Sequence, residues 1–304
     1  MGVFERDFYE ERRRKWRRSA FWRGFGVAAL LALVVLAISF RGDLATRGDQ
    51  IARLEIGGVI FDDAERDELL AELAEKDSVR AVILRINSPG GTTVGSEALF
   101  ESIRSVAAEK PVVAVLGEVA ASGGYIAAIA ADHVIGRGNT LTGSIGVILE
   151  YPDLTALIAR LGIGVETVRS SELKAEPSPF RPTSPAARAV DEALVADSFA
   201  WFRGLVGERR NLTGADLDAV ANGAVFTGRL ALERRLIDAI GGEVEAVAWL
   251  ESRDGGLIGL PVRDWAVQTE RGFWGGILES IRSSGGILRE ISHLGGTKLY
   301  SLGP

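Results

Sequence analysis

The sequence contains no cysteine, only two histidines and few lysines among its 35 basic residues. Without cysteine the chain has no thiol nucleophile, no thiolate zinc site and no disulfide. The histidines leave little room for a Ser-His-Asp triad, because His133 leads into a predicted strand and is expected to be structural, and His293 lies in a glycine-interrupted tail. Since arginine stays protonated near neutral pH, an amine base must come from the lysines. These are Lys15, Lys76, Lys110, Lys174 and Lys298.

Charge is distributed unevenly along the 304 residues. The first 23 residues carry eight lysines and arginines against four acidic residues, whereas the whole chain has a formal net charge of −6. The uncharged run Phe25–Phe40 follows. As a helix it would span about 24 Å, slightly less than a ~30 Å hydrocarbon core. Phe21 and Trp22 can extend the span at the interface, and the Arg23 side chain can reach out to the headgroups. The pattern predicts an uncleaved transmembrane signal anchor over residues 25–40, a cytoplasmic basic segment over residues 1–24 and an extracytoplasmic remainder, with a cleaved signal peptide as the alternative.

From about Ile51 onward, strand-like and helix-like runs alternate. Buried-strand patterns at Val79–Ile86 and Pro111–Leu116 are each followed by a helical pattern, which is typical of a mainly parallel sheet covered on both faces. The sequence therefore predicts an α/β domain over residues 51–252. A glycine-rich tail covers residues 265–304. It is expected to be mobile, with membrane-surface contact or docking on a neighbouring subunit as the alternatives. The other expected elements are strands at 53–60, 133–135, 146–149 and 164–168, and helices at 63–76, 96–109, 122–131, 154–161, 186–210, 216–221, 228–234 and 243–251.

A serine lies at the junction between a predicted strand and a predicted helix. The segment Ala120–Tyr125 reads AASGGY, and small residues typical of a buried helix come after it. At such a junction the hydroxyl lies beside the helix N-terminus, whose free N–H groups can stabilise a developing oxyanion. The arrangement is similar to a nucleophile elbow without the usual G-x-S-x-G letters. Ser122 is therefore the candidate nucleophile.

The candidate general base is found by elimination among the lysines. A serine hydroxyl becomes a strong nucleophile only when a neighbouring group takes its proton. Lys15 lies in the basic segment, Lys76 and Lys110 end predicted surface helices, and Lys298 lies in the tail. Lys174 is left as the candidate base, and an ordinary solvated loop lysine is the alternative. Burial against apolar neighbours would favour the neutral amine that a base needs.

Two further motifs can complete such a site. The motif NSPGG at Asn87–Gly91 is expected at the C-terminal end of a strand, where glycines let backbone N–H groups approach a ligand. Gly91, or its neighbour Gly90, pairs with Gly123 as a candidate oxyanion donor, and an ordinary strand-to-helix turn is the alternative. Ser144, in the motif LTGSIGV, can orient a lysine amine, with turn chemistry as the alternative. The sequence has no P-loop and no dinucleotide fingerprint, and no cofactor is predicted.

Taken in this order, the motifs resemble those of the bacterial signal peptide peptidase A family, peptidase family S49, in its short form. The resemblance covers residues 51–250 and rests on NSPGG, VAASGGYIAA, LTGSIGV, the segment Ser170–Lys174 and AVFTGRLALERRLID. It implies a ClpP/crotonase-like fold and a serine protease with a Ser/Lys dyad. By the same resemblance, Ala175 departs from the aspartate expected directly after the lysine. The implied site consists of Ser122 as nucleophile, Lys174 as general base, Ser144 bonded to the lysine, and Gly91 and Gly123 as oxyanion donors.

The resemblance also implies partners and a location. Short members of the family assemble into rings in which the serine and lysine of one site come from neighbouring subunits, so a homo-oligomer, an octamer, is expected. It would be anchored in the bacterial inner membrane with its catalytic domain outside the cytoplasm. The expected substrates are hydrophobic peptides, chiefly remnant signal peptides, and no nucleic-acid partner is expected. Two alternatives stay open: a crotonase-like acyl-CoA enzyme with the same oxyanion hole, and an inactive membrane scaffold of the same fold.

Overall fold

The computed structural model describes residues 22, 25–26, 29–30 and 48–266. Most of the predicted anchor, nearly all of the basic segment and, apart from Trp265 and Ala266, the predicted tail lie outside the described residues. Among the helices that are described, none is both long and apolar enough to cross a membrane. The predicted catalytic domain, residues 51–252, is described in full.

Strands and helices alternate along the described domain. The first half consists of β1 (Gln50–Ile60), α1 (Ala64–Glu75), β2 (Val79–Gly91), α2 (Thr93–Glu109), β3 (Val112–Ala121), α3 (Gly123–Ala130), β4 (His133–Gly136) and β5 (Leu141–Gly143). The second half consists of α4 (Thr155–Arg160), α5 (Pro185–Arg210), α6 (Gly214–Val220), β6 (Val225–Thr227), α7 (Gly228–Glu233), β7 (Ala239–Ile240), α8 (Glu243–Arg253), a 3₁₀ turn (Gly255–Leu257) and β8 (Val262–Trp265). Side chains of Asp63, Thr92 and Ser184 accept backbone N–H groups at the starts of α1, α2 and α5, which fixes where these helices begin.

The described strands form one sheet in the order β6-β5-β3-β2-β1-β8, and β4 and β7 extend it beside β3. Neighbouring strands are parallel except β5 and β6. β3 divides its pairing, since Val113–Leu116 pairs with β4 and Val119–Ala121 pairs with β5. This fork brings the end of β3, and Ser122 after it, next to the strand that precedes Ser144.

Apolar residues cover both faces of the sheet. On one face, alternate residues of β2 such as Val82 and Leu84 pack in a large core with α1, α2, α3 and α5. On the other face, Ala81 and Ile83 pack in a second core with Leu250 of α8. Strands that are buried on both sides are the mark of a parallel sheet with helices on each face. The predicted α/β sheet covered on both faces is confirmed.

Two predicted strands are wrong. Residues 146–149 and 164–168 have apolar, β-branched sequences, but neither segment joins the sheet. Their most prominent members, Ile148 and Val168, are 83% and 94% exposed. These sequences have the local preference for a strand, but no strand of the described chain offers them a partner. Conversely, β2 and β3 run further than predicted, because both keep pairing with their neighbours up to the site.

Candidate active site

Ser122 occupies the turn between β3 and α3. Its backbone has φ 51° and ψ −120°, which is a strained conformation for a residue with a side chain. The Ser122 N–H donates to the Gly143 carbonyl at 2.9 Å, and the Ser122 carbonyl accepts from the N–H groups of Tyr125 and Ile126, both at 2.9 Å. The strained turn is therefore held from both sides. Such over-determined strain is concentrated at functional sites in proteins.

The helix behind Ser122 is fixed at its other end by two arginines. Every residue of α3 is buried. Arg104 donates to the Ala130 carbonyl at 2.8 Å, and Arg209 donates to two further carbonyls of the same turn at 2.7 and 2.9 Å. The guanidinium groups satisfy carbonyls at the helix C-terminus, where positive charge is also favourable. No motif in the sequence pointed to these arginines, which lie on α2 and α5.

The backbones of Gly91 and Gly123 approach each other closely beside Ser122. A β-carbon on Gly123 would lie 3.1 Å from the Gly91 nitrogen and would overlap Ser96 Oγ. A β-carbon on Gly91 would overlap the carbonyl group of Ile60. Both positions therefore need glycine, because the backbone of β2 approaches the start of α3 this closely. The backbone N–H groups of Gly91 and Gly123 therefore lie near Ser122 and are candidate oxyanion donors.

Ser88 separates the roles of the two glycines that end the NSPGG motif. Its buried hydroxyl donates to the Gly58 carbonyl at 2.6 Å and accepts the Gly90 N–H at 3.1 Å. The Gly90 N–H is thus occupied inside the turn, and the φ of 113° at Gly90 redirects the chain. The Gly91 nitrogen lies toward Gly123 instead. Of the two glycines at this motif, Gly91 is therefore the candidate whose N–H is not used inside the turn by Ser88.

Ser144 reaches the same region from β5. Ser144 has φ 52°, and Gly143 before it has φ 87°. The Ser144 N–H donates to the Ala224 carbonyl at 2.8 Å, while the Gly143 carbonyl accepts the Ser122 N–H. The peptide unit that joins Gly143 to Ser144 is therefore hydrogen-bonded to the backbone of Ser122, which fixes the two serines relative to each other. Both serines line one groove together with Gly91 and Gly123.

That groove has a volume of about 1400 Å³. Its walls come from the start of α2, the start of α3, the segment after Ser144 and α5. One end carries charged side chains of α5, and there Tyr151 donates to Asp191 at 3.1 Å, joining the segment after Ser144 to the helix. The groove also has apolar walls, which suit an extended hydrophobic ligand. The apolar walls include Ile126, Ile145, Val147, Phe199 and Phe202.

Lys174 does not meet Ser122 within one chain. It is exposed, it lies in a turn that begins at Ser171, and it is not among the residues that line the groove. The backbone N–H of Lys174 donates to the Ser171 carbonyl at 3.2 Å. Apolar residues of the surrounding segments, including Ile148, Leu161 and Val168, are also exposed.

His133 has structural surroundings. Its ring stacks on Trp249 with centroids 4.7 Å apart and an angle of 5° between the planes, and Nδ1 lies 3.7 Å from Asp238 Oδ2. Burial lowers the pKa of His133, against the opposing effect of Asp238. His133 is not among the residues that line the groove, and His293 lies outside the described residues. The geometry therefore offers Ser122 no histidine from the described chain.

The sequence was compared with known protein families. The model of Peptidase family S49 matches residues 104–255, which include Ser122, Ser144 and Lys174. The chain belongs to peptidase family S49. The model of Clp protease matches residues 59–136, which include Gly91, so this S49 chain has a Clp-protease-like α/β fold. It is a serine protease.

Named relatives of this S49 protease agree with that assignment. The Synechocystis sp. protein slr0021, provisionally named a protease, is 34% identical over 201 residues, 66% of this chain and 73% of that protein. Protease 4 of Haemophilus influenzae is 32% identical over 232 residues, 72% of this chain and 37% of that protein. An Enterococcus faecium protein, provisionally named signal peptide peptidase SppA, is 29% identical over 212 residues, 65% of this chain and 62% of that protein. The chain thus corresponds to most of one relative and to little more than a third of a longer one.

Proposed function

We propose that this protein is a membrane-anchored serine endopeptidase with a Ser122/Lys174 dyad, which degrades hydrophobic peptides such as cleaved signal peptides. The observation that carries the proposal is the strained, doubly held turn of Ser122 with Gly91 and Gly123 beside it in an apolar groove. This arrangement supplies a nucleophile, an oxyanion site and room for an extended apolar chain. Lysine is the base that remains when no histidine of the described chain lines the groove.

In the proposed reaction, the neutral amine of Lys174 takes the proton of Ser122 Oγ as that oxygen attacks the peptide carbonyl carbon. The N–H groups of Gly91 and Gly123 stabilise the carbonyl oxygen as it becomes negative. The lysine ammonium then gives its proton to the leaving amine while the C–N bond breaks, which leaves an acyl-serine. Water, deprotonated by the same amine, then attacks the acyl carbon. The ammonium returns this proton to Ser122 Oγ as the acyl C–O bond breaks, which releases the acid and restores the serine and the neutral amine. Ser144 orients the lysine by accepting one of its N–H groups.

We assign the Lys174 of each site to a neighbouring subunit of a homo-oligomer, an octameric ring by family resemblance. Two observations support this arrangement. Lys174 is exposed and lies outside the groove of its own chain. The apolar side chains of Ile148 and Val168, in two segments that join no sheet, are open to solvent in the single chain. A cyclic assembly would cover such side chains in a repeated interface and complete every site at once.

The proposed location and substrates rest on three different features. The uncharged run Phe25–Phe40 behind a basic segment supports a single-pass anchor with residues 51–252 as an extracytoplasmic peptidase domain. The Enterococcus faecium relative carries the name signal peptide peptidase, which supports signal peptides as the substrate class. The apolar groove walls fit the hydrophobic core of such peptides. The tail over residues 265–304 is proposed to contact the membrane surface or a neighbouring subunit.

A labelling experiment on the purified full chain in detergent tests the proposal. A fluorophosphonate probe should label the wild-type protein, and both Ser122→Ala and Lys174→Ala should abolish labelling and hydrolysis of a hydrophobic peptide. Ser198→Ala is the matched serine control, since Ser198 also lines the groove, and it should keep both. Labelling that survives Ser122→Ala, or turnover that survives Lys174→Ala, would contradict the dyad. A folded wild-type protein without either reaction would favour the scaffold, and turnover of an acyl-CoA would favour the crotonase-like alternative.

A further inference from the structure

The segment that carries Lys174 has little regular backbone structure. Residues 161–184 contain neither a helix nor a strand. The turns on either side of Lys174 are closed by long hydrogen bonds, 3.2 Å from its N–H to Ser171 and 3.3 Å from the Glu176 N–H to Leu173. Ala175, directly after the lysine, has φ 62°. A general base needs a fixed position, so something other than backbone pairing has to hold this segment.

An ionic cluster brackets Lys174 in the chain. Arg169 and Arg181 both donate to Oε1 of Glu176, the latter at 2.7 Å. Arg169 also donates to the Glu172 carbonyl at 2.6 Å. The cluster therefore joins a residue before Lys174, a residue after it and the turn between them. We call Arg169, Glu176 and Arg181 the lysine-loop clamp.

The centre of the lysine-loop clamp is buried, unlike the lysine it surrounds. The Glu176 side chain is only 7% exposed, and the two arginine side chains are 23% and 28% exposed. Hydrogen bonds from Arg181 and Arg169 hold the pKa of Glu176 below its usual range, although burial acts in the opposite direction. A buried carboxylate that accepts from two guanidinium groups is held far more firmly than an exposed surface pair. By contrast, the pair of Arg203 and Asp218 on α5 and α6 is 38% and 66% exposed.

The second carboxylate oxygen of Glu176, Oε2, differs from Oε1 in its hydrogen bonding. Oε2 is buried, and among the residues that the structure describes it has no hydrogen-bond donor. Buried acceptors are nearly always satisfied in folded proteins. Within the described residues the clamp therefore satisfies one carboxylate oxygen of Glu176, Oε1, and leaves Oε2 without a donor.

We propose that Glu176 is a positioning residue for Lys174, holding the lysine loop through Arg169 and Arg181 in the geometry that delivers the amine to Ser122. This inference rests on the proposed Ser122/Lys174 function. Glu176 touches no substrate in this account and acts only through the loop.

The first test measures peptide hydrolysis by full-chain Glu176→Gln, which keeps the shape of the side chain and removes its charge. A base displaced by about 1 Å loses roughly 10²-fold in rate, so kcat should fall by about that factor while KM stays within about twofold. Asp218→Asn, which breaks the exposed pair with Arg203, is the matched control and should leave kcat unchanged. An unchanged kcat in Glu176→Gln, or a loss matched by global unfolding in circular dichroism, would overturn the inference.

A second test places the same change in only one of two subunit types. Mixed rings are assembled from Ser122→Ala chains, which contribute only the lysine, and Lys174→Ala chains, which contribute only the serine. Glu176→Gln should lower the activity of mixed rings roughly 10²-fold when it is on the lysine-contributing chain and leave it unchanged on the serine-contributing chain. Equal losses for both placements would show a general structural role and overturn the inference.

Failure of this inference and failure of the proposed function give different results. If Lys174→Ala chains keep turnover, the dyad itself is wrong, and Glu176 then has no base to position. If Lys174→Ala is inactive while Glu176→Gln is as active as the wild type, only the role of Glu176 is overturned.

Discussion

The two halves of the proposed dyad are built in opposite ways. Ser122 lies on a turn bonded on both sides, in front of a helix whose residues are all buried. Lys174 lies on an exposed segment without helix or strand from residue 161 to residue 184, next to apolar side chains open to solvent. The single chain thus holds Ser122 firmly and leaves Lys174 outside the groove. In the proposed function, assembly with a neighbouring subunit would complete each site, so activity would depend on assembly as well as on folding.

The largest effect should come from changing the base half while the charge is kept. Lys174→Arg should lower kcat/KM by at least about 10⁴-fold, because arginine stays protonated and cannot accept the serine proton. Lys76→Arg, at an exposed lysine paired with Glu72, is the matched control and should be fully active. The thermal unfolding temperatures of both variants should equal that of the wild type, because the exposed Lys174 amine does not contribute to the packing of the fold. Substantial turnover by Lys174→Arg would contradict the role of Lys174 as the general base.

The next effect concerns the nucleophile half, where backbone spacing is tight. Gly91→Ala should lower kcat by about 10²- to 10³-fold, the loss typical of one oxyanion donor, because the new methyl group overlaps Ile60 and displaces the N–H. Gly57→Ala, at a glycine of the same sheet with open space around it, should retain activity. Steady-state kinetics on a hydrophobic peptide measures both variants. Equal activity of the two would remove Gly91 from the site.

A smaller effect should distinguish an arginine that binds backbone carbonyls from one in an exposed ion pair. Arg209→Leu removes two hydrogen bonds from the last turn of α3 and should lower the free energy of unfolding by about 2 kcal/mol. Arg203→Leu, also on α5, breaks only an exposed pair and should change it by less than about 1 kcal/mol. Denaturant unfolding monitored by circular dichroism compares them. Similar values for both variants would show that α3 does not depend on its C-terminal arginine.

The smallest effect is a pH dependence of stability from His133. Burial lowers the pKa of His133 in the folded chain below the value of about 6.5 in the unfolded chain. The folded state therefore binds fewer protons, and its stability should be full above about pH 6.5 and decline as the pH falls through the folded pKa. His133→Phe, which keeps an aromatic ring beside Trp249, should flatten this decline in denaturant titrations at pH 7.5 and 5.5. An unchanged slope would contradict the assignment.

The local parts of this protein could be predicted from sequence, and the long-range parts could not. The position of Ser122 between a strand and a helix could be predicted because a strand, a tight turn and a small-residue helix are consecutive in the chain. The choice between Gly90 and Gly91 needed the hydrogen bond from Gly90 to Ser88, which letters alone do not give. Arg209 was missed because it meets α3 from 80 residues away.

The segment around Lys174 also shows that local sequence does not determine long-range structure. Residues 164–168 have strand-forming letters, yet they join no sheet because no strand of the described chain pairs with them. Elimination among the lysines singled out Lys174, but it carried no information on where the amine would lie. The clamp through Glu176 also escaped prediction, because a Glu between two Arg is an ordinary loop composition.

The absence of cysteine allows one direct measurement of the central claim, that each site takes its serine and its lysine from different chains. Chains carrying Ser122→Cys and chains carrying Lys174→Cys are mixed, assembled and treated with a short bis-maleimide linker. Efficient linkage between the two chain types, seen as a dimer on a denaturing gel and absent for either variant alone, is the expected result. In a chain with both substitutions, linkage confined to single chains, with no dimer formed, would contradict the shared site.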